Sequence, residues 1–494
     1  MKLKAKILPF ITEGPLVAVL NKKEAQLLNL EPLDRIRIKK GNKSEVVIVD
    51  FARGKKEVGD KQIGLFLDAS NLLNVKTNDL LEILLEPNPI SIDYIKKKLD
   101  NQALNKEEIN TIIRDILDNK LTEAEATYFV SGCYINKMTL DESAYLAEAI
   151  VNNSGKLSFN GNKIIVDKHS IGGVSGNRTT PLVVSIVAAA GLTIPKTSTR
   201  SITSPTGTAD TVEVLCPVTH SKEKIQQIVK KTNGCMVWGG TLDLASADDK
   251  LIKLEKQLNL DPEGFLLASI LAKKAAVCST HVLIDIPIGK EAKLKTKHQA
   301  RELGKKFVKI GKKLNMKVKT IITDGSQPIG NGIGPALEAR DILLILQNRN
   351  GPEDLKKKAI YMSAIILKMA GKFFAYKKAK HILESGLAYK KLKEIIKEQG
   401  GNPNIQPEHI KVGKYTYTVK SKIPGKIINI SENIIKRIAK SAGSPNDKGA
   451  GVYLHRKTNE KVTIHEALFT IYAESLEKLE FAKKENLNLA YKIE

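Results

Sequence analysis

The chain has 494 residues and a formal charge of +25, from 79 Lys and Arg against 54 Asp and Glu. This length exceeds what one hydrophobic core can serve, so three or four domains are expected. The sequence has no apolar run of about eighteen residues, and its start, MKLKAKILPFITEG, holds no sustained apolar segment. These features argue against a membrane span and a secretory signal, and we expect a cytoplasmic protein.

The positive charge favours either nucleic-acid binding or a solvated, lysine-rich surface. Lysine is spread over every segment, without interleaved aromatics or an arginine-rich arm. We therefore expect no nucleic-acid partner, and a surface that helps to steer anionic substrates. The composition, rich in lysine and isoleucine with one tryptophan, is typical of a thermophile.

The four cysteines are widely separated in the sequence and form no CxxC pair, which argues against a zinc site and against a disulfide framework. We expect them to be buried small hydrophobes. They are Cys133, Cys216, Cys235 and Cys278.

Residues 1–86 alternate short apolar runs with Gly, Asn and Pro breaks, which predicts a small N-terminal β domain. Its predicted strands include Leu16–Leu20, Asp34–Ile38 and Glu45–Val49. After Pro87-Asn88-Pro89 the pattern becomes helical, and residues 88–160 are predicted to form a helical bundle domain. Two capping boxes, Thr122-x-x-Glu125 and Thr139-x-x-Glu142, open helices there.

Strands then alternate with helices, which predicts a central, mostly parallel α/β domain over 161–244 and 278–400. Two helical segments within Ser246–Lys274 interrupt it. Beyond residue 400 the pattern is again rich in strands, among them Gly425–Ile430 and Lys461–Ile464, and 405–494 is predicted to be a C-terminal α+β domain. The predicted strands of the central sheet are Lys163–Val166, Thr193–Thr197, Cys235–Trp238, Val282–Ile286 and Val318–Thr323.

The most informative stretch begins at the first of these strands. The strand is predicted to end at Asp167, a Gly-rich loop follows over Lys168–Asn177, and a helical run extends to Gly191. The loop therefore faces a helix N-terminus, where free N–H groups and the helix dipole favour anions. With Lys168 beside it, this arrangement predicts a phosphate site.

A second polar loop follows the next strand. The segment Thr197–Ser204 offers six hydroxyls and the guanidinium of Arg200, and Gly207-Thr208 closes it. Because successive loops of a parallel sheet open on one edge, the two loops can share a ligand. From pattern alone, an ordinary tight turn beside a solvated Ser/Thr loop is an equal alternative.

The combination of DKHSIGGVSGNRTTP with TRSITSPTGTAD resembles the phosphate-binding region of the thymidine/pyrimidine-nucleoside phosphorylase family, and most closely its AMP phosphorylase branch. The resemblance covers about residues 90–475 and includes GSQPIGNGIGPALEARD at Gly325–Asp341. It implies that the helices of about 245–277 belong to the helical domain and that the C-terminal domain is barrel-sandwich-like. The first 86 residues are typical of the AMP phosphorylase branch alone.

The resemblance also implies binding residues. The phosphate ligands would be Lys168, Ser170, Ser198 and Thr208, with Thr179 or Thr180 where the relatives carry serine. No cofactor and no metal are expected. Lys273 is a further implied site residue, and the implied nucleotide ligands are Gly173, Thr199, Arg200, Ser201, Ile202, Thr203, Ser204, Thr208, Ser269 and Lys293.

Three positions bear on the chemistry. The resemblance makes Asp261 the proton donor to the leaving base, and the alternative is that it caps the helix that begins at Pro262. His169 is interpreted as a scaffold residue of the loop rather than a base. Leu254 stands where the pyrimidine enzymes carry an arginine that contacts the base, which argues against a pyrimidine-specific site.

The resemblance implies phosphorolysis of nucleoside 5′-monophosphates, in which AMP and phosphate give adenine and ribose 1,5-bisphosphate, and it implies CMP and UMP as further substrates. The hydroxyl-rich loop with its arginine would suit the 5′-phosphate. The first alternative is a thymidine or uridine phosphorylase. An anthranilate-type phosphoribosyltransferase would need a metal-diphosphate site and lacks the C-terminal domain.

The expected assembly is larger than a dimer. The resemblance implies a homodimeric core formed by the helical domains. An added β domain next to the helical domain could join dimers into a larger homo-oligomer.

Overall fold

The computed structural model describes residues 1–494 except 13, 160, 162–163, 202–203, 243–245, 259 and 261; for 241–242, 246, 249 and 256–258 it describes the backbone alone. The chain divides into two compact units. One comprises Met1–Ser154 with Ser246–Ser269, and the other comprises Gly155–Ala245 with Ile270–Glu494.

The first unit opens with a closed six-stranded barrel whose neighbouring strands are, in order, Lys2–Leu8, Gln62–Phe66, Val17–Leu20, Lys43–Phe51, Arg35–Lys40 and Leu80–Leu85. Its strands alternate inward apolar and outward polar residues; Leu3 and Ala5 of the first strand are fully buried, whereas Lys2 and Lys4 are exposed. The predicted strands are confirmed here. The elements are β1 (Lys2–Leu8), β2 (Val17–Leu20), α1 (Lys22–Leu27), β3 (Arg35–Lys40), β4 (Lys43–Phe51), β5 (Gln62–Phe66), α2 (Leu67–Leu73) and β6 (Leu80–Leu85).

Four helices follow the barrel in the same unit, and both predicted capping boxes are formed. The Thr122 hydroxyl accepts from the Glu125 N–H over 3.2 Å while the Glu125 carboxylate accepts from the Thr122 N–H over 2.8 Å, and Thr139 and Glu142 do the same. The helices are α3 (Ser91–Leu99), α4 (Lys106–Leu117), α5 (Glu123–Ile135) and α6 (Leu140–Asn152).

The second unit contains a parallel sheet. The elements of this unit up to residue 398 are β7 (Val166–Ser170), α7 (Thr179–Ala189), β8 (Ile194–Ser198), α8 (Thr208–Glu213), α9 (Lys222–Thr232), β9 (Gly234–Trp238), the second half of α11 (Glu263–Ala276), β10 (His281–Ile288), α12 (Lys297–Lys313), β11 (Lys317–Asp324), β12 (Gly332–Ile333), α13 (Pro335–Leu346), α14 (Glu353–Met369), α15 (Ala375–Glu384) and α16 (Leu387–Glu398). Helix α10 (Ser246–Leu258) belongs to the first unit. Strands β11, β10 and β7 pair in that order, β8 pairs with β9, and the parallel bridge Ile165–Thr193 joins the two groups of strands.

Helices pack on this sheet through one large apolar core. Helix α7 is buried almost throughout, with Leu182, Val183 and Ile186 fully inaccessible, because it lies between the sheet and α14 and α16. The two predicted helical segments within Ser246–Lys274 are confirmed as α10 and α11, and the boundary between the two units falls inside α11.

The first strand of the sheet was predicted too early. The sequence pattern predicted Lys163–Val166 with a loop from Lys168, but β7 runs from Val166 to Ser170 and pairs residue by residue with β10; Lys163 lies outside the described residues. The apolar pattern ends at Val166 because the next two residues are charged. They continue the strand since their charges find partners inside the protein.

The C-terminal residues form two antiparallel sheets with two helices around a separate apolar core. One sheet has the order β12-β15-β17-β13, so it includes β12 from the Gly-rich segment 325–341. The elements are β13 (Tyr415–Lys420), β14 (Gly425–Ile430), α17 (Glu432–Ser441), β15 (Gly451–Leu454), β16 (Lys461–Val462), β17 (Ala467–Ala473), α18 (Leu476–Lys483) and β18 (Tyr491–Ile493).

The prediction that the cysteines are buried is confirmed for Cys133, Cys216 and Cys235 and is wrong for Cys278. Cys278 lies two residues after the end of α11 and adopts a positive φ of 55°, so the chain turns to the surface there. Its thiol donates to the Leu157 carbonyl over 2.9 Å. Within the described part of the chain, no helix has the length and apolarity that crossing a membrane requires.

Candidate active site

The loops with the predicted ligands leave one edge of the parallel sheet. The Gly-rich loop, residues 171–178, follows β7, and the Ser/Thr-rich loop, residues 199–207, follows β8. The carboxyl ends of parallel strands share an edge. The two loops are in direct contact, because Arg178 of the first donates to the Thr206 carbonyl of the second over 2.9 Å.

Lys168 is the cation at the base of the Gly-rich loop. It is 3% exposed, and its Nζ donates to the Thr179 hydroxyl in the first turn of α7 over 2.7 Å. Burial lowers the pKa of Lys168 to about 7, opposed by the nearby Asp285 carboxylate and assisted by the positive charges of Lys358 and Arg178. A buried ammonium that is hydrogen-bonded to a hydroxyl is stabilised strongly when an anion arrives.

The carboxylate near Lys168 is already paired with another lysine. Asp285 of β10 is fully buried, accepts from Lys358 Nζ over 2.9 Å and accepts from the Thr323 hydroxyl over 2.6 Å. Burial raises the pKa of Asp285, but Lys358 and the Thr323 hydrogen bond outweigh it, so the pKa lies below its ordinary value. Asp285 and Lys358 were not predicted; an acid within the apolar run VLIDIPI is the signal that could have found Asp285.

The Gly-rich loop requires glycine at two of its positions. Gly173 has φ of +94° and a Cβ there would lie 2.8 Å from the backbone N of Lys293, while Gly176 has φ of +64° and a Cβ would lie 2.2 Å from the Ile329 carbonyl oxygen. Gly172 also has a positive φ of 90° but faces open space. The loop is therefore packed on its sides and open at Gly172, where a ligand can approach the backbone.

The Ser/Thr-rich loop is organised by carboxylates. Asp210 of α8 accepts from the N–H groups of Ser201 and Gly207, each over 2.8 Å. Glu213 accepts two hydrogen bonds from Arg200, over 2.5 and 2.7 Å. The Arg200 guanidinium also lies over the Trp238 ring, 4.8 Å from its centroid.

Glu213 holds its charge strongly. The hydrogen bond from Arg200 lowers the pKa of Glu213 to about 2, against burial and with the help of Lys448. The same pairing raises the pKa of Arg200. Arg200, which is predicted to bind a phosphate, is thus already paired with the carboxylate of Glu213.

Ser201 and Ser204 use their hydroxyls within the second loop, and Ser198, the last residue of β8, uses its hydroxyl on β9. Ser201 donates to the Ser204 carbonyl, Ser204 donates to the Thr206 carbonyl over 2.9 Å, and Ser198 donates to the Val237 carbonyl over 3.3 Å. Thr199 is exposed. The Thr208 hydroxyl accepts from Arg178 over 3.3 Å.

Arg178 joins the two loops and was not predicted. Besides Thr206 and Thr208 of the second loop, its guanidinium contacts the carboxylate of Glu338 over 2.6 and 3.2 Å. Glu338, on α13, is 2% exposed and also accepts from the Thr211 hydroxyl over 2.7 Å. A charged residue next to the TTP start of a wholly apolar helix is the sequence signal that could have found Arg178.

A buried group of charges lies behind β7. Asp167 is fully buried and accepts from Lys274 Nζ over 2.8 Å, with Lys196 Nζ at 3.7 Å. Burial lowers the pKa of Lys196 well below its ordinary value. Burial and the charges of Lys274, Lys196, Lys273 and Lys168 together also lower the pKa of His169, so its imidazole is neutral at neutral pH.

Three buried polar atoms on the loops have no hydrogen-bond partner among the residues that the structure describes. They are Ser175 Oγ, Asn177 Oδ1 and Thr206 Oγ1. Asn177 donates through its Nδ2 to the Ser170 hydroxyl over 3.3 Å. These three atoms can therefore still form hydrogen bonds with a ligand that binds at the loops.

The second unit contains most of the predicted site residues, and others lie elsewhere. Ser269 belongs to the first unit. Asp261, Ile202 and Thr203 lie outside the described residues. The predicted residues found in the second unit are Lys168, Ser170, Gly173, Thr179, Ser198, Thr199, Arg200, Ser201, Ser204, Thr208, Lys273 and Lys293.

Among the described residues, no three His, Cys, Asp or Glu side chains lie around a common position where they could hold a metal ion.

Family models match three parts of the chain. Residues 92–154 match the helical bundle domain of a glycosyl transferase family, residues 162–399 match the a/b domain of that family, and residues 427–494 match the pyrimidine nucleoside phosphorylase C-terminal domain. Anthranilate phosphoribosyltransferase from Thermus thermophilus has a similar fold, with a TM-score of 0.53 and 15% identity over 62% of this chain and 99% of that chain. The predicted multidomain α/β class is confirmed, and the class of protein is a glycosyl transferase.

Relatives along nearly the whole length identify the family more closely. AMP phosphorylase from Thermococcus sibiricus is 45% identical, and that from Pyrococcus abyssi is 47% identical; each alignment covers 98% of this chain and 95% of the relative. AMP phosphorylase from Natronomonas pharaonis is 40% identical over 98% of this chain and 96% of its own. The chain belongs to the AMP phosphorylase family.

Proposed function

We propose that this enzyme cleaves nucleoside 5′-monophosphates by phosphorolysis, converting AMP and inorganic phosphate to adenine and ribose 1,5-bisphosphate. CMP and UMP are further substrates, and the reaction serves nucleotide salvage and AMP catabolism. The observation that carries the proposal is the pair of touching loops at one sheet edge, each with its own cation, Lys168 or Arg200. Two sites for anions suit a reaction between two phosphate-bearing molecules.

The residues around Lys168 are proposed to bind and position the phosphate nucleophile. Lys168, Ser170 and the N-terminus of α7 with Thr179 hold inorganic phosphate, whose oxygen attacks C1′ of the ribose. The bond from C1′ to the base nitrogen breaks, and its electron pair passes to the base. Holding the nucleophile in place and stabilising charge supply most of the rate in such a displacement.

The second loop binds the 5′-phosphate of the nucleotide. Its residues Thr199, Arg200, Ser201 and Ser204 provide hydroxyl, amide and guanidinium donors, and Ile202 and Thr203 complete the segment. Gly173, Ser269 and Lys293 are proposed to contact the rest of the nucleotide, and Lys273 is a further site residue. Their roles follow from the family motif.

Asp261 is the proposed proton donor to the departing base. Asp261→Asn should lower turnover by about a hundredfold or more, the range for loss of a positioned general acid, with an unchanged melting temperature. Glu107→Gln, at an exposed position on α4, is the control for a lost carboxylate. Near-normal turnover of the Asp261 variant would leave that residue the role of a helix cap.

Purified protein with phosphate and AMP, CMP, UMP, adenosine or thymidine tests the substrate class, with free base as the readout. We expect AMP to exceed adenosine in kcat/KM by about a hundredfold, because two charge-assisted contacts to the 5′-phosphate are lost in the nucleoside. Equal or better turnover of adenosine or thymidine would overturn the proposal.

Phosphorolysis of thymidine or uridine is the alternative function. The match of residues 427–494 to the pyrimidine nucleoside phosphorylase C-terminal domain favours it. Leu254, which stands at the position of the base-contacting arginine, is 5% exposed and apolar, which argues against it.

We also propose how the domains are divided and assembled. The boundaries are 1–86, 88–160 with about 245–277, 161–244 with 278–400, and 405–494, the last barrel-sandwich-like. The protein acts in the cytoplasm, and the helical domains form a homodimeric core that the barrel extends. Light scattering should show an assembly larger than a dimer that shrinks to a dimer when residues 1–84 are deleted; a full-length dimer would contradict this.

A further inference from the structure

The C-terminal residues contact both loops of the candidate site. We infer that the segment 431–448, which begins with α17, positions the Gly-rich loop and the Ser/Thr-rich loop for binding. This inference deepens the proposed function and rests on it for the identity of the ligands. The four contacts that carry it all lie within the second compact unit.

Glu432 and Lys436 hold the Gly-rich loop. Glu432 is the first residue of α17 and 1% exposed, and its two carboxylate oxygens accept from the Ser175 N–H over 3.0 and 3.2 Å. Lys436, one turn later, donates from Nζ to the Gly173 carbonyl over 2.8 Å. One helical turn therefore fixes two backbone groups of a loop whose glycines would otherwise leave it mobile.

Ser444 and Lys448 hold the Ser/Thr-rich loop and the helix behind it. The buried Ser444 hydroxyl donates to the Pro205 carbonyl over 2.8 Å. Lys448 Nζ lies 2.8 Å from Glu213, the carboxylate that holds Arg200, and 3.8 Å from Asp210. Ser444 thus supports the loop backbone, and Lys448 forms an ion pair with the same carboxylate that binds Arg200.

Contacts outside the two loops hold β15 and α17 in place. Strand β12, from the segment 325–341, pairs with β15 of the C-terminal residues. Glu291 holds the N-terminal end of α17, where its carboxylate accepts from the Ser431 hydroxyl over 3.1 Å and from the Asn433 N–H over 2.7 Å. Because β15 also packs against α17, the positions of Glu432 and Lys436 are defined, which a positioning role requires.

The test compares Lys436→Met and Lys448→Met with Lys440→Met, an exposed lysine in the last turn of α17. We expect Lys436→Met to raise the phosphate KM about tenfold and Lys448→Met to raise the AMP KM about tenfold, with kcat changed less. Lys436→Arg should recover most of the loss. A rise in KM for either substrate beyond the Lys440 control supports positioning, and no such rise in either variant overturns it.

Hydrogen exchange tests the positioning role independently of which substrate the enzyme uses. Peptides that cover residues 171–178 should exchange faster in Lys436→Met and in Glu432→Gln than in wild type or Lys440→Met, whatever substrate the enzyme uses. If wild type releases no base from AMP, the proposed function fails while this measurement still tests the positioning. Unchanged exchange in both variants would overturn the inference.

Discussion

The two loops of the candidate site each combine a cation with hydroxyl groups, but the two cations differ in burial and in their partners. At the Gly-rich loop, Lys168 is buried and donates to a hydroxyl, while Asp285, whose charge acts on Lys168, is bound to Lys358. At the Ser/Thr-rich loop, Arg200 is a third exposed and forms two hydrogen bonds with Glu213. One loop presents a buried cation that is hydrogen-bonded to a hydroxyl, and the other presents a more exposed cation that is paired with a carboxylate.

The difference predicts unequal anion sites. A charge interaction strengthens as the surroundings lose water, and it weakens when a counter-ion already occupies the cation. The Gly-rich loop should therefore hold the anion whose charge matters most in the reaction, which we propose to be the phosphate nucleophile. At the Ser/Thr-rich loop, the 5′-phosphate should bind by partly replacing Glu213 as the partner of Arg200.

The strongest test removes the buried cation. Lys168→Ala should lower kcat/KM for inorganic phosphate by about a thousandfold, the upper range for losing one preorganised charge-stabilising donor, and raise the AMP KM far less. Lys319→Ala, at an exposed position of β11, is the matched control for a lost lysine. A rise in the AMP KM alone would mean that the two anion sites are assigned in reverse.

The pH dependence of phosphate binding should follow Lys168. Since burial lowers its pKa to about 7, the side chain is charged below that pH and loses its proton as the pH rises. The phosphate KM should increase about tenfold per pH unit above 7. Arginine stays charged, so Lys168→Arg should lack this increase and provides the control for the titration of phosphate itself. Identical pH profiles of the two proteins would contradict the assignment.

The smallest effect is expected at the second loop. Glu213→Gln removes the carboxylate that neutralises Arg200, and the AMP KM should fall about threefold because the guanidinium no longer exchanges partners. Glu223→Gln, at an exposed position in α9, should leave the AMP KM unchanged. A higher AMP KM in the Glu213 variant would show that this acid mainly orients the arginine.

The order of strands and helices was predictable where the apolar pattern was regular. Strands β8, β9, β10 and β11 lie within two residues of their predicted limits, and α7 ends just before Gly191, whose φ is +83°. Each of these elements has a regular apolar pattern, and β9, β10, β11 and α7 are also followed closely by a glycine, both of which are local properties. The strand β7 was misplaced because Asp167 and Lys168, directly after Val166, are charged, and local hydrophobicity cannot show that a charge has a buried partner.

The site could be predicted in part for the same reason. The cations and hydroxyls of the two loops are visible in the sequence since each loop is continuous. The supporting residues lie far from their partners along the chain: Glu338 holds Arg178, Glu432 holds the Ser175 N–H, Lys448 pairs with Glu213, and Lys358 pairs with Asp285. Each is an ordinary charged residue on a helix or loop, and nothing in its own neighbourhood distinguishes it from a solvated one.

The sequence by itself determined the succession of elements, the two loops after β7 and β8, and the residue types that can bind phosphate there. Only the tertiary structure decided which cation is free to act, because Lys168 and Arg200 differ in their partners: Thr179 for one, and Glu213 with Trp238 for the other. Local pattern sets the backbone through short-range hydrogen bonding and periodicity. Charge state and orientation depend on burial and on partners that folding brings in from distant segments.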